Sequence, residues 1–346
     1  MRNVVVIGTG SYVPKTVVTN AELVEELRKI TPDTTEEWIV KHTGVMVRRV
    51  AAPGEHTSDM ALEASLDCLR KAGVDPKEVD LIVGATVSGD TNFPAMVNWL
   101  QGKLQCQLEP EDRKRLCSSF DINAGCSGFM SALNVTTALL QTGRSNLALV
   151  VGAEKMSVLY NPKDRNSYPL AGDGAACVLL RGIEPSANLG GYGIRGFYSG
   201  SDGRMAHLLV QPLGGTSQPL TAENINDPGR YLQMDGPKVY QAAVRKMSES
   251  VEAILKQVGV RKDEVDWFIG HQANLRILEA VAEKLGVPMK KVYSNIHKYG
   301  NTTSASIPLC LDELSESGQL KPGHEVVLFT FGTGFTWGSC FLTWGS

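Results

Sequence analysis

The sequence predicts an α/β protein built as two copies of one α/β unit, and three observations carry that prediction. Apolar runs of strand length recur, among them Val4–Ile7, Leu81–Ala85, Leu147–Gly152 and Trp267–Gly270, of the kind buried on both faces of a sheet. Segments with helical apolar spacing, closed by glycines, separate them. The chain also repeats itself. Leu69–Gly84 can be laid on Leu255–Gly270 at an offset of 186, with the Leu, the Gly-Val, the Glu-Val-Asp and the final Gly coinciding. A second echo puts Gly143 on Gly318 at an offset of 175, which carries Cys126 onto Asn301. The expected division is 1–183 and 184–346, each unit too long for a solenoid repeat.

Taken in order, Val4–Ile7 is a first core strand. Gly8-Thr9-Gly10 after it resembles the start of a dinucleotide fingerprint, but the third glycine is missing and Pro14 blocks an immediate helix. Asn20 reads as the cap of a helix over Ala21–Leu23 and beyond, and Ser58 as the cap of an amphipathic helix that stops at Gly73. Asp80–Ala85 follows as a strand, and Phe93-Pro94-Ala95 opens another helix. Leu108–Arg115 is a polar insertion with mixed charges, read as a solvated loop or helix end. Ser119–Ile122 is a short strand, Ala124–Gly128 a tight turn, and Ser127–Gln141 a helix with Phe129, Leu133, Leu139 and Leu140 at helical spacing. After the strand at Leu147–Gly152, a glycine turn at Gly172-Asp173-Gly174 feeds another through Leu180. Residues 184–230 are glycine-rich and polar and read as connection, with regular elements resuming at Gly236.

Composition narrows the function. Of 346 residues, 42% are hydrophobic and 21% charged, as in ordinary globular proteins. A net charge of −3 without a concentrated basic stretch argues against nucleic acid as a main partner. No apolar run reaches membrane-spanning length and the first residues lack a signal-peptide pattern, so a cytoplasmic protein without membrane insertion is expected. The seven cysteines are scattered and none forms a CxxC, which argues against a disulfide framework or a metal site.

Cys126 stands where a strand hands over to a helix N-terminus. Unpaired N–H groups and the positive dipole end favour a thiolate there, and small neighbours leave room for a substrate. The alternative for this cysteine alone is a buried structural thiol. His271 ends the strand Trp267–Gly270, at the ligand-facing end of an α/β sheet, although a histidine there is often structural. Asn301 lies on a glycine turn that opens a helix and could equally be a turn or cap residue. Phe331–Gly338 is a glycine loop after an apolar strand, whose N–H groups could line an oxyanion site. A Cys, a His and an Asn, each on a glycine turn after a buried strand, make the stronger case together.

These segments carry a resemblance. Gly8–Pro14, Glu37–Val40, Thr43-Gly44, Ala124–Phe129, Gly172–Ala175, His271–Ile277, Gly300–Thr302 and Gly334–Gly338 resemble β-ketoacyl-[acyl-carrier-protein] synthase III of the thiolase-like condensing enzymes, over essentially the whole chain. The resemblance implies a thiolase-like fold, two pseudo-symmetric halves stacked as α-β-α-β-α layers. It implies an acyl-CoA primer transferred to Cys126, then decarboxylating condensation with malonyl-acyl carrier protein. It also implies a homodimer and no cofactor, with coenzyme A and carrier phosphopantetheine as parts of substrates. His271 and Asn301 would complete the catalytic set, and the N–H groups of Cys126 and Thr333 would hold the acyl oxyanion. Trp38 and Arg165 match positions that sandwich adenine, Arg276 one that meets phosphates, Asn274 one beside pantetheine, and Phe93 one that closes the acyl pocket across the dimer. His42 stands where the family often has arginine, and Thr333 where it usually has glycine. Acyl transfer to a hydroxyl or amine, and a non-catalytic partner subunit, are the other readings.

Overall fold

Two five-stranded sheets with one strand order between them form the frame of the computed structural model, which describes residues 1–112, 117–185 and 191–345. The first holds β1 (Asn3–Tyr12), β2 (Leu81–Ala85), β3 (Ser118–Ile122), β4 (Leu147–Lys155) and β5 (Asp173–Ile183) in the order β1-β5-β4-β2-β3. The second holds β6 (Gly193–Ser201), β7 (Trp267–Gly270), β8 (Val292–Tyr293), β9 (Glu325–Gly332) and β10 (Thr336–Thr343) in the order β6-β10-β9-β7-β8. In both, the central strand is parallel to its neighbour on one side and antiparallel on the other.

Burial explains the layering. Phe129, Leu133 and Leu140 of the helix Gly128–Gln141, with Ile307, Leu311 and Leu314 of Ser306–Glu316, pack into one core with Val83, Val150 and Val178 of one sheet and Ile269, Val326 and Leu328 of the other. The helices Thr57–Ala72 and Met96–Gln105 cover the first sheet's outer face, and Gly236–Val258 and Leu275–Leu285 cover the second's. Five layers result, in the expected α-β-α-β-α sequence. Both sheets are thereby sandwiched, which is why their central strands read as unbroken apolar runs.

Several expectations are corrected. The cap of the first helix is Thr19, in a capping box with Glu22; Asn20 is the first helical residue and is buried, its amide bonded to the Val45 carbonyl and to Arg48. The second amphipathic helix begins at Thr57, capped from His56, and Ser58 lies buried inside its first turn. Gly8–Tyr12, which the missing third glycine and Pro14 already set apart from a nucleotide loop, continues β1, paired antiparallel with β5. The stretch read as connection contains β6, the edge strand of the second sheet, paired with β10. Its glycines and exposed alternate residues hid it. The polar insertion follows the helix Met96–Gln105, and its Arg113, Lys114 and Arg115 lie outside the described residues.

The duplication is visible at both ends of its first match. Gly73 and Gly259 both cap helices in the left-handed conformation, ahead of β2 and β7. The second echo needs adjustment. The two central helices start at 128 and 306, 178 apart, each after a single 3-10 turn. Cys126 is therefore matched at the helix tip by Ser304, and Asn301 lies three residues upstream. Among the described residues no helix is long and apolar enough to cross a membrane.

Candidate active site

Cys126 occupies the 3-10 turn Gly125–Ser127 between β3 and the helix Gly128–Gln141. The turn depends on Gly125, whose φ of +56° suits glycine and whose missing side chain leaves space for the Thr333 hydroxyl. The second half holds this turn in place: Thr330 Oγ1 donates to the Cys126 carbonyl at 3.0 Å, and Thr336 Oγ1 shares its hydrogen between the carbonyls of Thr333 at 2.9 Å and Ala124 at 3.2 Å. Gly332 lies so close that a Cβ there would stand 2.8 Å from the backbone nitrogens of Cys126 and Ser127.

His271 and Asn301 come from the second half. His271 follows β7, its N–H bonded to the Phe329 carbonyl at 2.9 Å. Its Nδ1 is 2.7 Å from Ser306 Oγ, which also lies 2.8 Å from the Thr303 carbonyl. Nε2 is buried and has no hydrogen-bond partner among the described residues. Asn301 is anchored by its N–H to the Leu170 carbonyl at 2.7 Å. Its Oδ1 accepts from Thr303 N–H at 2.9 Å, which turns Nδ2 toward the Tyr160 hydroxyl at 3.4 Å.

Cys126, His271, Asn301 and Thr333 all line one cavity of about 890 Å³, together with Asn274 and Arg276. Its walls are largely apolar, with Met156, Leu159, Leu209, Val239, Met247 and Phe331. A large apolar cleft with a few convergent polar groups is the usual form of a small-molecule site. Such surroundings govern the protonation states. Burial lowers His271 to about 4, so the ring is neutral near pH 7. Burial, and then the charge of Glu154, push the Cys126 thiol up to about 12, against the Thr303 hydroxyl and the turn's own backbone, which lower it. Both raising influences oppose the thiolate expected at the helix tip, although Cys126 itself is only partly buried.

The structure separates the other predicted residues. Asn274 spends its side chain on structure, capping the helix Leu275–Leu285 through the Arg276 N–H at 2.9 Å and donating to the His42 carbonyl at 2.8 Å. Arg276 is exposed at the cavity wall, its guanidinium 6.0 Å from the Tyr240 ring. Trp38 and Arg165 are not among the cavity-lining residues. They meet each other directly, with the guanidinium 4.7 Å from the indole centroid and Arg165 paired to Asp33 at 2.8 Å. His42 stacks on the same indole at 4.2 Å. The slot expected between Trp38 and Arg165 is therefore closed. Phe93 projects from the surface, 86% exposed.

Two residues near the thiol escaped sequence reading. Glu154, fully buried at the end of β4, receives hydrogen bonds from Thr86, Val87 N–H, Ser88 and Ser304, and burial raises it to about 7. A glutamate ending an apolar strand was the available signal. Tyr160 had none, since nothing in its neighbourhood marks a turn back toward Cys126. One carboxylate cluster among the described residues, Asp67, Asp312 and Glu316, closes around the Lys71 ammonium at 2.6–3.0 Å.

Two same-order sheets around a shared pair of helices, with a cysteine at one helix tip facing a histidine and an asparagine from the other half, define a thiolase-like condensing acyltransferase. Residues 120–203 match the family model 3-oxoacyl-[acyl-carrier-protein (ACP)] synthase III, and residues 255–344 match its C-terminal counterpart. The β-ketoacyl-[acyl-carrier-protein] synthase III of Caldanaerobacter subterraneus subsp. tengcongensis is 38% identical over 339 residues, covering 98% of this chain and 97% of that protein. A crystal structure of 3-oxoacyl-[acyl-carrier-protein] synthase III from Aquifex aeolicus superposes with a TM-score of 0.85 at 36% identity, over 99% of this chain and all of that one. The priming β-ketosynthase of the R1128 polyketide pathway gives 0.87 at 31% identity, over 100% of this chain and 97% of that one. The chain belongs to the β-ketoacyl-[acyl-carrier-protein] synthase III family.

Proposed function

We propose that this enzyme transfers the acyl group of an acyl-CoA to Cys126 and condenses it with malonyl-acyl carrier protein, starting fatty-acid synthesis or a related pathway. The observation that carries the reading is the meeting of Cys126, His271 and Asn301, from two halves, in one apolar-walled cavity.

The first half-reaction needs a thiolate, which burial of Cys126 and the neighbouring Glu154 charge oppose. His271 is neutral, and with Nδ1–H donated to Ser306, whose own hydrogen goes to the Thr303 carbonyl, Nε2 offers a lone pair to the thiol proton. Sulfur attacks the thioester carbonyl, the carbon–sulfur bond to coenzyme A breaks, and the proton passes to the departing sulfur. The oxyanion formed meets the N–H groups of Cys126 and Thr333. In the second half-reaction the bond between the malonyl α-carbon and its carboxylate breaks. The electron pair is held as an enolate, and carbon dioxide leaves. In its other tautomer, reached between the half-reactions as Nδ1 gives its proton to water and Nε2 takes one from water, the neutral ring presents an Nε2–H to the enolate oxygen while the Ser306 hydroxyl donates to Nδ1, and Asn301 Nδ2–H is the second donor. Attack of the α-carbon on acyl-Cys126 expels the thiolate, which takes one proton per turnover.

The division at 183/184 assigns Cys126 to one unit and His271 and Asn301 to the other. A cytoplasmic homodimer is part of the reading, supported by the exposed Phe93, which a second subunit would cover. Intact mass after incubation with a panel of acyl-CoAs tests the proposal: a single acyl adduct on wild type, none on Cys126→Ala, and carbon dioxide release on adding malonyl-acyl carrier protein. Full condensing activity in Cys126→Ala would overturn it.

A further inference from the structure

We infer that the Tyr160 phenol is a third hydrogen-bond donor of the condensation chamber, giving its O–H to the thioester oxygen that gains charge as the malonyl group decarboxylates. The inference rests on the condensing role proposed above and adds a residue to it.

Tyr160 lies just past the 3-10 turn that ends β4, and only 4% of it is exposed. Its ring is wedged against Met156 and Ala171, so its position is set by packing. Tyr160 lines the same cavity as Cys126, His271 and Asn301. Its phenol oxygen accepts one bond, from Asn301 Nδ2 at 3.4 Å, and Asn301 cannot turn its amide over without losing the 2.9 Å bond from Thr303 N–H. The phenol is therefore already an acceptor, and among the described residues its own hydrogen has no acceptor. A buried O–H without a partner is costly, and a substrate oxygen arriving beside Asn301 would satisfy it.

The 3.4 Å contact is long for a hydrogen bond, so Asn301 can release it to an incoming oxygen at little cost. Asn301 N–H and Tyr160 O–H would then converge on that oxygen. The phenol does not act as acid or base. Burial, then the charge of Cys126, push its ionisation upward, so it stays a neutral donor throughout the working pH range. No proton leaves it: the carbon–carbon bond breaks, its electrons are held on the oxygen, carbon dioxide departs, and the phenol hydrogen remains covalently on Tyr160.

Tyr160→Phe removes one oxygen and keeps the ring. The expected result is unchanged acylation of Cys126 by intact mass, with condensation by pre-acylated enzyme slowed about tenfold to a hundredfold, less than the loss of a principal oxyanion donor. KM for malonyl-acyl carrier protein should stay near the wild-type value, because the bond strengthens only as charge develops. Equal slowing of both half-reactions would mean a packing role, and wild-type condensation would mean none; either overturns the inference. Failure of the condensing role itself would be seen separately, as wild-type enzyme that forms no acyl-Cys126 or releases no carbon dioxide.

Discussion

Glu154 Oε1 lies 2.7 Å from the Ser304 hydroxyl, a buried carboxyl on β4 joined to the residue that matches Cys126 at the opposite helix tip. Ser304 Oγ is also 2.7 Å from the Ala85 carbonyl, and a hydroxyl has only one hydrogen. When that hydrogen goes to Ala85, Glu154 must supply the other, which requires the protonated acid. The contact ties the first sheet, through β4 and Ala85 of β2, to the tip of the second central helix.

Stability should record this. Glu154 is raised from 4.5 to about 7, so between those pH values the folded protein holds a proton that the unfolded chain has released. Stability contributed by Glu154 is therefore complete below about pH 4.5 and is lost as pH rises toward 7. His271, lowered to about 4, acts in the opposite sense over part of that range, so the comparison must be made against a variant. Urea denaturation of wild type and Glu154→Gln at pH 5 and pH 8 should show wild type losing up to about 3 kcal/mol relative to the variant. A pH-independent difference would mean that Glu154 titrates normally.

The same carboxylate opposes ionisation of Cys126. With the thiol at about 12, its alkylation by iodoacetamide should rise close to tenfold per pH unit from 6 to 9, with no plateau near 7. Glu154→Gln should accelerate it at pH 8–9, where the wild-type carboxylate is charged. A plateau at neutral pH would show a stable thiolate–imidazolium pair in the resting enzyme.

The fold was legible in the sequence wherever a residue had one job. Gly73 and Gly259 stop helices because the left-handed turn admits few other residues, and the central runs of β2, β4, β7 and β9 are apolar because both faces are covered. Reading failed where tertiary context reassigned a residue. Asn20 and Ser58 have capping side chains but are buried one or two positions inside their helices, where Asn20 answers to Arg48 and Ser58 to Asp90. β6 escaped because an edge strand with Gly193, Gly196 and Gly200 carries little apolar signal. At the site, the strand expected before the turn is present for Cys126 and His271, whereas Asn301 follows Gly300 at the end of the short helix Ile296–Tyr299 rather than a strand. Glu154 and Tyr160 were not legible, because their importance comes from packing between halves.

Gly332 should be the least replaceable residue of the oxyanion loop. Its alanine Cβ would press on the backbone of Cys126 and Ser127, which belongs to a turn fixed from both sides and cannot yield as a flexible side chain would. Gly332→Ala should cut the rate of acyl-Cys126 formation by at least about a hundredfold, the order of losing an oxyanion donor. Gly102→Ala, in a helix with open space around it, should be neutral or stabilise by about 0.5–1 kcal/mol. Wild-type acylation in Gly332→Ala would show that the loop does not position the Cys126 N–H.

The closed stack at Trp38 makes nucleotide binding a competition. Arg165 already covers the indole and Asp33 holds it there, so an adenine entering between them must displace the guanidinium. Asp33 is largely exposed, and a surface ion pair is a weak latch. Asp33→Ala should therefore lower KM for acyl-CoA by about two- to fivefold, with kcat unchanged, because the contact is made equally in ground and transition states. Trp38→Ala should raise KM for acyl-CoA for the same reason. Neither change should alter kinetics with an acyl-pantetheine that lacks the nucleotide, since Trp38 and Arg165 stand outside the cavity wall. Steady-state rates with the paired substrates decide it: identical KM shifts for both would place the stack's influence on the fold, and no shift for either would remove Trp38 and Arg165 from substrate binding.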